Sequence, residues 1–585
     1  MESNKGLIKW MRQAAWIMFI VIIGYLLIAS IFSTCYIGKL EYFTDMLQKT
    51  TEINVEHTYY IRDSWWIHLL IFALFSCLLV NENKTPKCNR SKRYSLYICI
   101  LAGVIAFGIV ITGQLVPKFD QKHIIELATA FSQKDFSALQ PGGYLYKYPY
   151  QIGIVTFYQI LSLIFGNLNY VAFEMVNVFF IIITYYILCK ISRILWSDNV
   201  ENITAIVCLC FLPYLFYATF LYGTVVGLFF AVLSFYLVLL FHKNPNVLYA
   251  LGSSICMALA IICKSNYLIF MIAAIIYLFF SGIEQVKKNI KIAGRSLLFI
   301  VLLLFFYIIS DLGTSKYLRE LSDGEELQGV PMSSFVALGL QDGKSAPGWH
   351  NNYDATVWMK NNYDYDLAVA ESKEEIRKIV SKYPQNISSS VSFFVKKIES
   401  QWNNPTFQSI WILEDRDGKE GLNWLCDGLG RYVYETYVNI LQTWIQTGVF
   451  LYAILRFKRN RWEELIIPIT FIGGFLFHIL WEAKTIYAMP FFLLLLPLCV
   501  CGYKEWRTWL LEQKEMIQMY GLKSENTKKL KRKITIGGVV IAVICLLSYT
   551  DTFAKLFARN EDTGIFNVYT QDMVNKDILL LEEKS

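Results

Sequence analysis

Long apolar segments separated by short polar ones make up most of this 585-residue chain. An α-helix needs about 20 apolar residues to cross the hydrocarbon core of a bilayer, and about fourteen segments reach or approach that length. They lie near residues 14–32, 65–80, 94–116, 151–166, 171–188, 203–219, 223–241, 248–263, 267–281, 296–310, 438–455, 464–480, 486–502 and 534–549. The pattern predicts an all-α polytopic membrane protein with about 13 transmembrane helices, interfacial helices and a mixed external loop domain.

The composition agrees with this class and excludes a soluble protein. Hydrophobic residues make up 55% of the chain and charged residues 17%, with a mean hydropathy of +0.40, whereas soluble domains are about 25% charged. The net charge of +7 does not indicate nucleic-acid binding, because Lys and Arg collect in short segments as they do in cytoplasmic loops. These clusters lie near 5–12, 84–93, 287–295, 456–461 and 504–533. We expect all of them, and the N-terminus, on the cytoplasmic side.

The long polar segment 311–436 has the opposite charge. It contains 13 Lys and Arg against 19 Asp and Glu, a balance of −6, so the remaining chain carries +13. We therefore expect this segment, and the loop 117–150, outside the membrane. Seven apolar segments lie between these two regions, and an even number of crossings is needed, so one segment does not span. We predict that it is 151–166, which is short and carries Gln151 and Gln159.

These assignments divide the chain into six regions. They are N-terminal membrane helices (1–116), a first catalytic external loop with interfacial helices (117–150), core membrane helices (151–310), an external domain (311–436), C-terminal membrane helices (437–549) and an external tail (550–585).

A carboxylate follows directly after the predicted helix 94–116. That helix ends at Pro117, and Asp120 comes three residues later. Apolar residues at 119, 124, 125 and 128 have the spacing of an amphipathic helix lying in the membrane interface, which would hold Asp120 beside the headgroups. The alternative is an aspartate that only caps this helix.

A tyrosine-rich turn, 141–150, then leads into the next apolar segment. Its tyrosines suit the membrane interface and are usually only belt residues. Lys147 and Tyr148 stand directly before Pro149. Lys147 is placed to pair with a lipid phosphate, although snorkelling of its side chain toward water explains it nearly as well.

A membrane span, an external acidic residue and a tyrosine-rich turn passing through Lys and Pro together resemble the GT-C superfamily of membrane glycosyltransferases. Its relatives include the aminoarabinose transferases and protein O-mannosyltransferases. The resemblance implies a GT-C-like fold with Asp120 acting on the acceptor as general base or orienting group. Two departures stand out: Lys147-Tyr148-Pro149 replaces Lys-Pro-Pro, and Gln121 stands where many members carry a second acidic residue.

Two further breaks between apolar segments carry polar residues, which are costly there unless they are used. Lys264 interrupts 258–273 and resembles a lysine that recurs in this superfamily. The segment 477–487 contains His478, Trp481, Glu482 and Lys484 and looks like one common to GT-C proteins of Gram-positive bacteria, where it faces the external cavity. The alternatives are a snorkelling Lys264 and a surface pair of Glu482 with Lys484.

Inside 311–436, residues 349–354 combine the residue types that bind sugars. Trp349 offers an aromatic face, and His350, Asn351 and Asp354 offer hydrogen-bonding groups. Ordinary loop composition is the competing explanation. Helical periodicity over 371–398, interrupted by Pro384, predicts two small helices.

The resemblance implies an inverting glycosyltransferase in the plasma membrane with its active site on the external face. Nucleotide sugars are absent outside, so the donor would be a polyprenyl-phosphate sugar whose phosphate binds Lys147, Lys264 and Lys484. Tyr148, Trp349, His350, Asn351, Asp354, His478, Trp481 and Glu482 would bind substrate. No cofactor or metal site is assigned, and metal dependence stays open.

The acceptor would be a cell-envelope polymer such as teichoic acid, a glycolipid or a protein, and the sequence identifies neither it nor the sugar. Membrane lipid is a further partner, and nucleic acid is not expected. The alternatives are a transporter or flippase of lipid-linked oligosaccharides and a polysaccharide polymerase. A flippase would place ionisable residues deep inside its spans, whereas here they collect at the external ends.

Overall fold

The computed structural model describes residues 2–41, 54–81, 93–286 and 290–520, apart from residues 344, 415, 427 and 460. The predicted helix 534–549, the external tail 550–585 and the basic residues at 84–92, 287–288 and 521–533 lie outside the described residues.

Helices make up nearly all of the regular structure. In chain order, the first elements are α1 (Glu2–Phe32), β1 (Ser33–Glu41), β2 (Asn54–Arg62), α2 (Trp65–Asn81), α3 (Tyr94–Gly113), α4 (Phe119–Ser132), α5 (Tyr144–Lys147), α6 (Ile152–Phe165), α7 (Tyr170–Leu195), α8 (Asp198–Cys210), α9 (Leu212–Phe216), α10 (Gly223–Lys243), α11 (Val247–Cys263), α12 (Leu268–Val286) and α13 (Ile290–Leu321). They are followed by α14 (Met332–Gly339), α15 (Tyr353–Lys360), α16 (Tyr365–Lys382), α17 (Ile387–Trp402), α18 (Ser409–Leu413), α19 (Asn423–Cys426), α20 (Gly428–Leu455), α21 (Ile466–Leu480), α22 (Thr485–Leu493) and α23 (Leu495–Tyr520).

The helices confirm the class predicted from the apolar pattern. Among the described residues, eight helices are long and apolar enough to cross a membrane, and two bent pairs, α8 with α9 and α22 with α23, raise the number to ten. Shorter apolar helices lie at Trp65–Val80, Pro149–Phe165 and Val247–Cys263. Every predicted apolar segment up to residue 502 is therefore helical. The chain is an all-α polytopic membrane protein.

The helix predicted not to span is short. α6 has 14 residues, which corresponds to about 21 Å, less than the roughly 30 Å of a hydrocarbon core. Its re-entrant or interfacial placement stays a prediction.

Burial separates central from peripheral helices. In the most apolar part of α10, 72% of the residues are buried, because this helix packs against α7 and α11. The corresponding share in α13 is 17%, although α13 is 32 residues long. α13 contacts α11 and α12 along one side and leaves an apolar surface exposed. This surface suits contact with lipid chains.

The segment between α13 and α20, residues 322–427, is called the insert. It was predicted to be a mixed domain, and its described residues form helices and turns, with one isolated bridge between Asp342 and Pro347. The two small helices predicted around Pro384 are confirmed as α16 and α17. The one sheet of the described residues lies elsewhere, as the antiparallel hairpin of β1 and β2.

Helix α17 joins the insert to the membrane helices. Buried Lys397 donates to the carbonyl oxygens of Gly339 and, at 2.9 Å, Ile479. At the start of β1, Ser33 donates to Glu399 at 2.9 Å, and its carbonyl oxygen accepts from Asn403 at 2.8 Å. Buried polar groups are thus paired across segments far apart in the sequence.

The helix predicted after Pro117 forms as α4, but its apolar face is covered by protein. Ile124, Ile125 and Ala128 are buried against α6. Phe119 does not share that face, because its side chain is 66% exposed and its φ is +52°. The apolar face of α4 therefore packs on protein and not on lipid, and the placement of α4 in the membrane interface stays a prediction.

Arg416 clamps the insert to three other segments. Its guanidinium donates to the carbonyl oxygens of Val116 at 2.8 Å, Thr219 at 2.9 Å and Leu115 at 3.0 Å, and lies 3.6 Å from buried Glu174 on α7. Only a planar fork with several donors satisfies acceptors in so many directions.

Removing this fork should destabilise the whole protein. We expect Arg416→Met to leave the carbonyl oxygens of Leu115, Val116 and Thr219 without this donor, a loss of about 1–3 kcal/mol for each acceptor that stays buried, and to lower the thermal unfolding temperature of the purified protein in detergent. Arg377→Met is the matched control, because Arg377 is exposed on α16. Equal unfolding temperatures for the two variants would contradict the clamp.

Candidate active site

Side chains from the ends of several helices interact with one another, and the region that they surround is called the cleft. The cleft is formed by the start of α4, the tyrosine-rich turn, the start of α10, the junction of α11 with α12, the junction of α21 with α22, and the insert. The charge of Asp120 acts on Tyr144, Tyr150, Tyr222, Lys264 and Tyr487, so these groups lie within electrostatic range of one carboxylate. Polar residues separated by more than 360 positions in sequence are thus neighbours.

A glycine permits the closest of these approaches. A Cβ atom on Gly223 would lie 1.9 Å from the carbonyl oxygen of Cys263, so a larger residue would force α10 away from α11. The approach brings Thr224 to Lys264, whose Nζ donates to its Oγ1 at 2.8 Å. Gly329 acts similarly at the tyrosine-rich turn, where a Cβ would lie 2.4 Å from Pro149.

Asp120 lies in the first turn of α4 and is exposed to the cleft. Its Oδ1 accepts a hydrogen bond from Tyr144 at 3.2 Å. The N-cap position of α4 is occupied by Lys118 and not by Asp120, so the capping alternative is wrong. Next to it, Gln121 is buried and accepts from the backbone N–H of Leu221 at 2.9 Å. Gln121 therefore fixes α4 against the segment that carries Tyr222.

Lys264 lies at the cleft between α11 and α12. Its ammonium is 4.8 Å from the ring of Tyr222 and 5.1 Å from that of Tyr487. Burial, together with the charge of Lys484, lowers the pKa of Lys264 to about 7, although Asp120 and Glu482 act in the opposite direction. The alternative of a lysine snorkelling into water does not describe this position. A bound anion would offset the electrostatic repulsion between the ammonium groups of Lys264 and Lys484.

An apolar crevice opens beside Lys264. It is lined by Asn266, Tyr267, Phe270, Tyr487, Pro490 and Phe491. A cation next to an apolar crevice is the arrangement that an amphiphilic phosphate requires, since the headgroup and chain need different surroundings.

The other two predicted phosphate ligands differ in position. The Nζ of Lys484 lies 4.9 Å from the ring of Trp411, and its charge acts on Lys264. Lys147 lies at the tyrosine-rich turn, with Nζ 4.9 Å from the ring of Tyr148, and no interaction of the described residues joins it to Lys264 or Lys484. The structure therefore brings two of the three lysines together.

Acidic and aromatic residues of the insert, the tyrosine-rich turn and the α21–α22 junction form one wall of the cleft. His350 Nδ1 lies 3.7 Å from Glu482 and 3.9 Å from Asp354, and Tyr148 donates to Asp354 at 2.8 Å. Burial raises the pKa of Glu482, while Lys484 and His350 act against that rise. Only 8% of Glu482 is exposed, so the alternative of an exposed surface pair with Lys484 is wrong.

Some residues that were predicted to bind sugar make contacts with other parts of the protein. Trp349 is buried and donates to Ser400 at 2.9 Å, and Asn351 donates to Gln341 at 2.9 Å. His478 is buried behind Tyr487, with ring centroids 5.7 Å apart. Trp481 is half-buried and stacks on Phe335 and Phe477. Trp349 and His478 are thus buried in interior contacts, Asn351 is partly buried, and substrate binding by these three residues stays a prediction.

Sequence reasoning missed Tyr222 and Trp411. Tyr222 lies between two apolar segments, 203–219 and 223–241, so the rule that identified Lys264 would have found it. Trp411 has no comparable signal. Its ring stacks on Phe119 with centroids 5.7 Å apart and planes at 11°, a contact between residues far apart in sequence.

Comparison with family models and with curated proteins gives no match. Solved structures of the Archaeoglobus fulgidus oligosaccharyltransferase show a distant similarity at 12% identity. AglB in complex with an inhibitory peptide and a dolichol-phosphate has a TM-score of 0.38, and the match covers 80% of this chain and 56% of AglB. The apo form has a TM-score of 0.40, and the match covers 84% of this chain and 60% of the other. The complex with Zn and sulfate has a TM-score of 0.34, and the match covers 79% of this chain and 53% of the other. The chain spans a little over half the length of these proteins. At such TM-scores the similarity carries no conclusion on function.

The position of Lys264 makes anion binding dependent on pH. Lys264 is protonated below about pH 7 and neutral above it. The affinity for a dialkyl phosphate, whose charge is constant between pH 6 and 9, should therefore fall as the pH rises above 7, by up to about tenfold per unit. Isothermal titration with the purified protein measures this. Lys264→Arg keeps its charge and should give a flat profile, and a flat profile for the wild type would contradict the expectation.

Proposed function

We propose that this protein is an inverting GT-C-type glycosyltransferase that moves a sugar from a polyprenyl-phosphate donor to an extracytoplasmic acceptor. The observation that carries this proposal is the cleft in which Asp120 faces the Lys264–Lys484 pair beside an apolar crevice. Each of these three features matches one part of the reaction: activation of a hydroxyl, neutralisation of a phosphate and binding of a lipid chain.

The donor would bind with its phosphate at Lys264 and Lys484 and the first part of its chain in the crevice. Lys264 is more costly to keep charged in the empty cleft than in the presence of an anion. The two ammonium groups therefore stabilise the phosphate leaving group as negative charge develops on its oxygen.

The acceptor hydroxyl would approach from the side of Asp120. Its proton passes to the Asp120 carboxylate as its oxygen forms a bond to the anomeric carbon, and the bond from that carbon to the phosphate oxygen breaks. A single displacement of this kind inverts the anomeric configuration. Tyr144, which donates to Asp120, orients the carboxylate. Tyr148, His350, Asp354 and Glu482 are placed to hold the sugar hydroxyls.

The proposed location is the plasma membrane, with the cleft on the external face. Basic residues gather at the opposite ends of the helices that bound the cleft. α10 starts at the cleft and ends at Lys243, and Arg461 lies just before the start of α21, whose other end is at the cleft. This distribution agrees with retention of basic loops inside.

Replacing Asp120 tests the proposal directly. We expect Asp120→Asn to lower the rate of sugar transfer by about 10²–10⁴-fold, because the amide accepts no proton, while the protein stays folded. The assay uses purified protein, a panel of synthetic polyprenyl-phosphate sugars and a mixture of envelope acceptors. Glu126→Gln is the matched control, since Glu126 is an exposed carboxylate of α4 paired with Lys122.

The outcomes separate the candidate functions. Transfer that survives Asp120→Asn would move the catalytic carboxylate elsewhere, with Glu482 as the next residue to replace. Absence of transfer with every donor, combined with movement of a labelled lipid-linked sugar across vesicles, would identify a flippase.

A further inference from the structure

An exposed aromatic ring stands directly beside Asp120. The Phe119 side chain is 66% exposed, and its φ of +52° lies in a region that bulky residues rarely adopt. The described residues of the apolar core clusters do not include it. The ring thus lies outside the described apolar core on a strained backbone, and strain of this kind collects at binding sites.

The ring is supported from behind. Phe119 stacks on Trp411 with nearly parallel planes, and Trp411 belongs to α18 of the insert. Backbone hydrogen bonds from Val116 to Asp417, at 2.7 Å, and from Lys419 to Gly113, at 2.8 Å, hold the insert against the segment that precedes Phe119. The pair of rings is therefore fixed from both sides and forms a rigid surface.

Charged groups flank this surface. Asp120 is the next residue, and Lys484 lies 4.9 Å from the Trp411 ring. A lipid chain on Phe119 would strip water from both charges without replacing its hydrogen bonds. A pyranose fits better, because its C–H face packs on an aromatic ring while the hydroxyls at its edge reach the charged groups.

We propose that Phe119, backed by Trp411, is the platform on which a pyranose ring of the acceptor stacks, so that the acceptor is a carbohydrate and not a polypeptide. This inference rests on the proposed function for its link to catalysis. Stacking on Phe119 places a hydroxyl of the acceptor sugar beside the carboxylate of the following residue.

Binding is tested without the donor. Saturation-transfer NMR is recorded with full-length protein in nanodiscs, free of sugar-based detergents, using methyl glycosides of glucose, galactose, mannose and N-acetylglucosamine and a hexapeptide containing Ser and Thr. We expect transfer to ring C–H protons of at least one glycoside, lost in Phe119→Leu and kept in Phe119→Trp. Phe165→Leu, which removes an exposed ring at the end of α6, should leave the signal unchanged.

Kinetics give a second measurement. With the glycoside that binds and a donor that supports transfer, Phe119→Leu should raise the acceptor KM about 3- to 10-fold and leave the donor KM unchanged. A purely structural role would move both constants or the unfolding temperature.

The possible results are distinct. An equal NMR signal for wild type and Phe119→Leu, or a signal from the peptide and from none of the glycosides, overturns the proposal. Glycoside binding through Phe119 without transfer from any donor leaves the platform standing and shows that the proposed function is wrong.

Discussion

The free-energy cost of keeping charge next to apolar helices governs the architecture of this protein. An ionised side chain in apolar surroundings is tolerated only with partners or water. Here the ends of α10, α11 and α21 meet at one cleft, where Lys264, Lys484, Asp120 and Glu482 act on one another. No single pair neutralises Lys264, so each helix end has to be in place for the others to be stable.

The same cost explains how much could be predicted from sequence. Apolar segments up to residue 502 are helices because length and composition are local properties. Lys264 and Glu482 stood out because a charge between two apolar segments is anomalous wherever the helices lie. Trp349 shows the limit, because its sequence neighbourhood suggested sugar binding while its ring is buried against Ser400. Composition identifies candidate residues, and tertiary contacts decide which of them face a ligand.

Arg416 contributes both to the stability of the protein and to the position of the cleft. The residue binds the backbone at Leu115 and Val116, a few positions before Asp120, and lies in the insert close to Trp411. These hydrogen bonds hold the backbone after α3 in place and so determine where α4 starts. The insert therefore does not behave as a freely swinging lid over the cleft.

The pairing of β1 with α17 has a consequence for biosynthesis. Ser33 and its partner Glu399 are separated by 366 positions. At about 5–20 residues per second, the ribosome needs roughly 20–70 s to deliver the partner after Ser33 has emerged. During that interval the polar groups at the end of α1 must be satisfied by water or by the insertion machinery. The N-terminal helix and hairpin are thus synthesised early and make these contacts only after the insert has been synthesised, so this junction forms late in assembly.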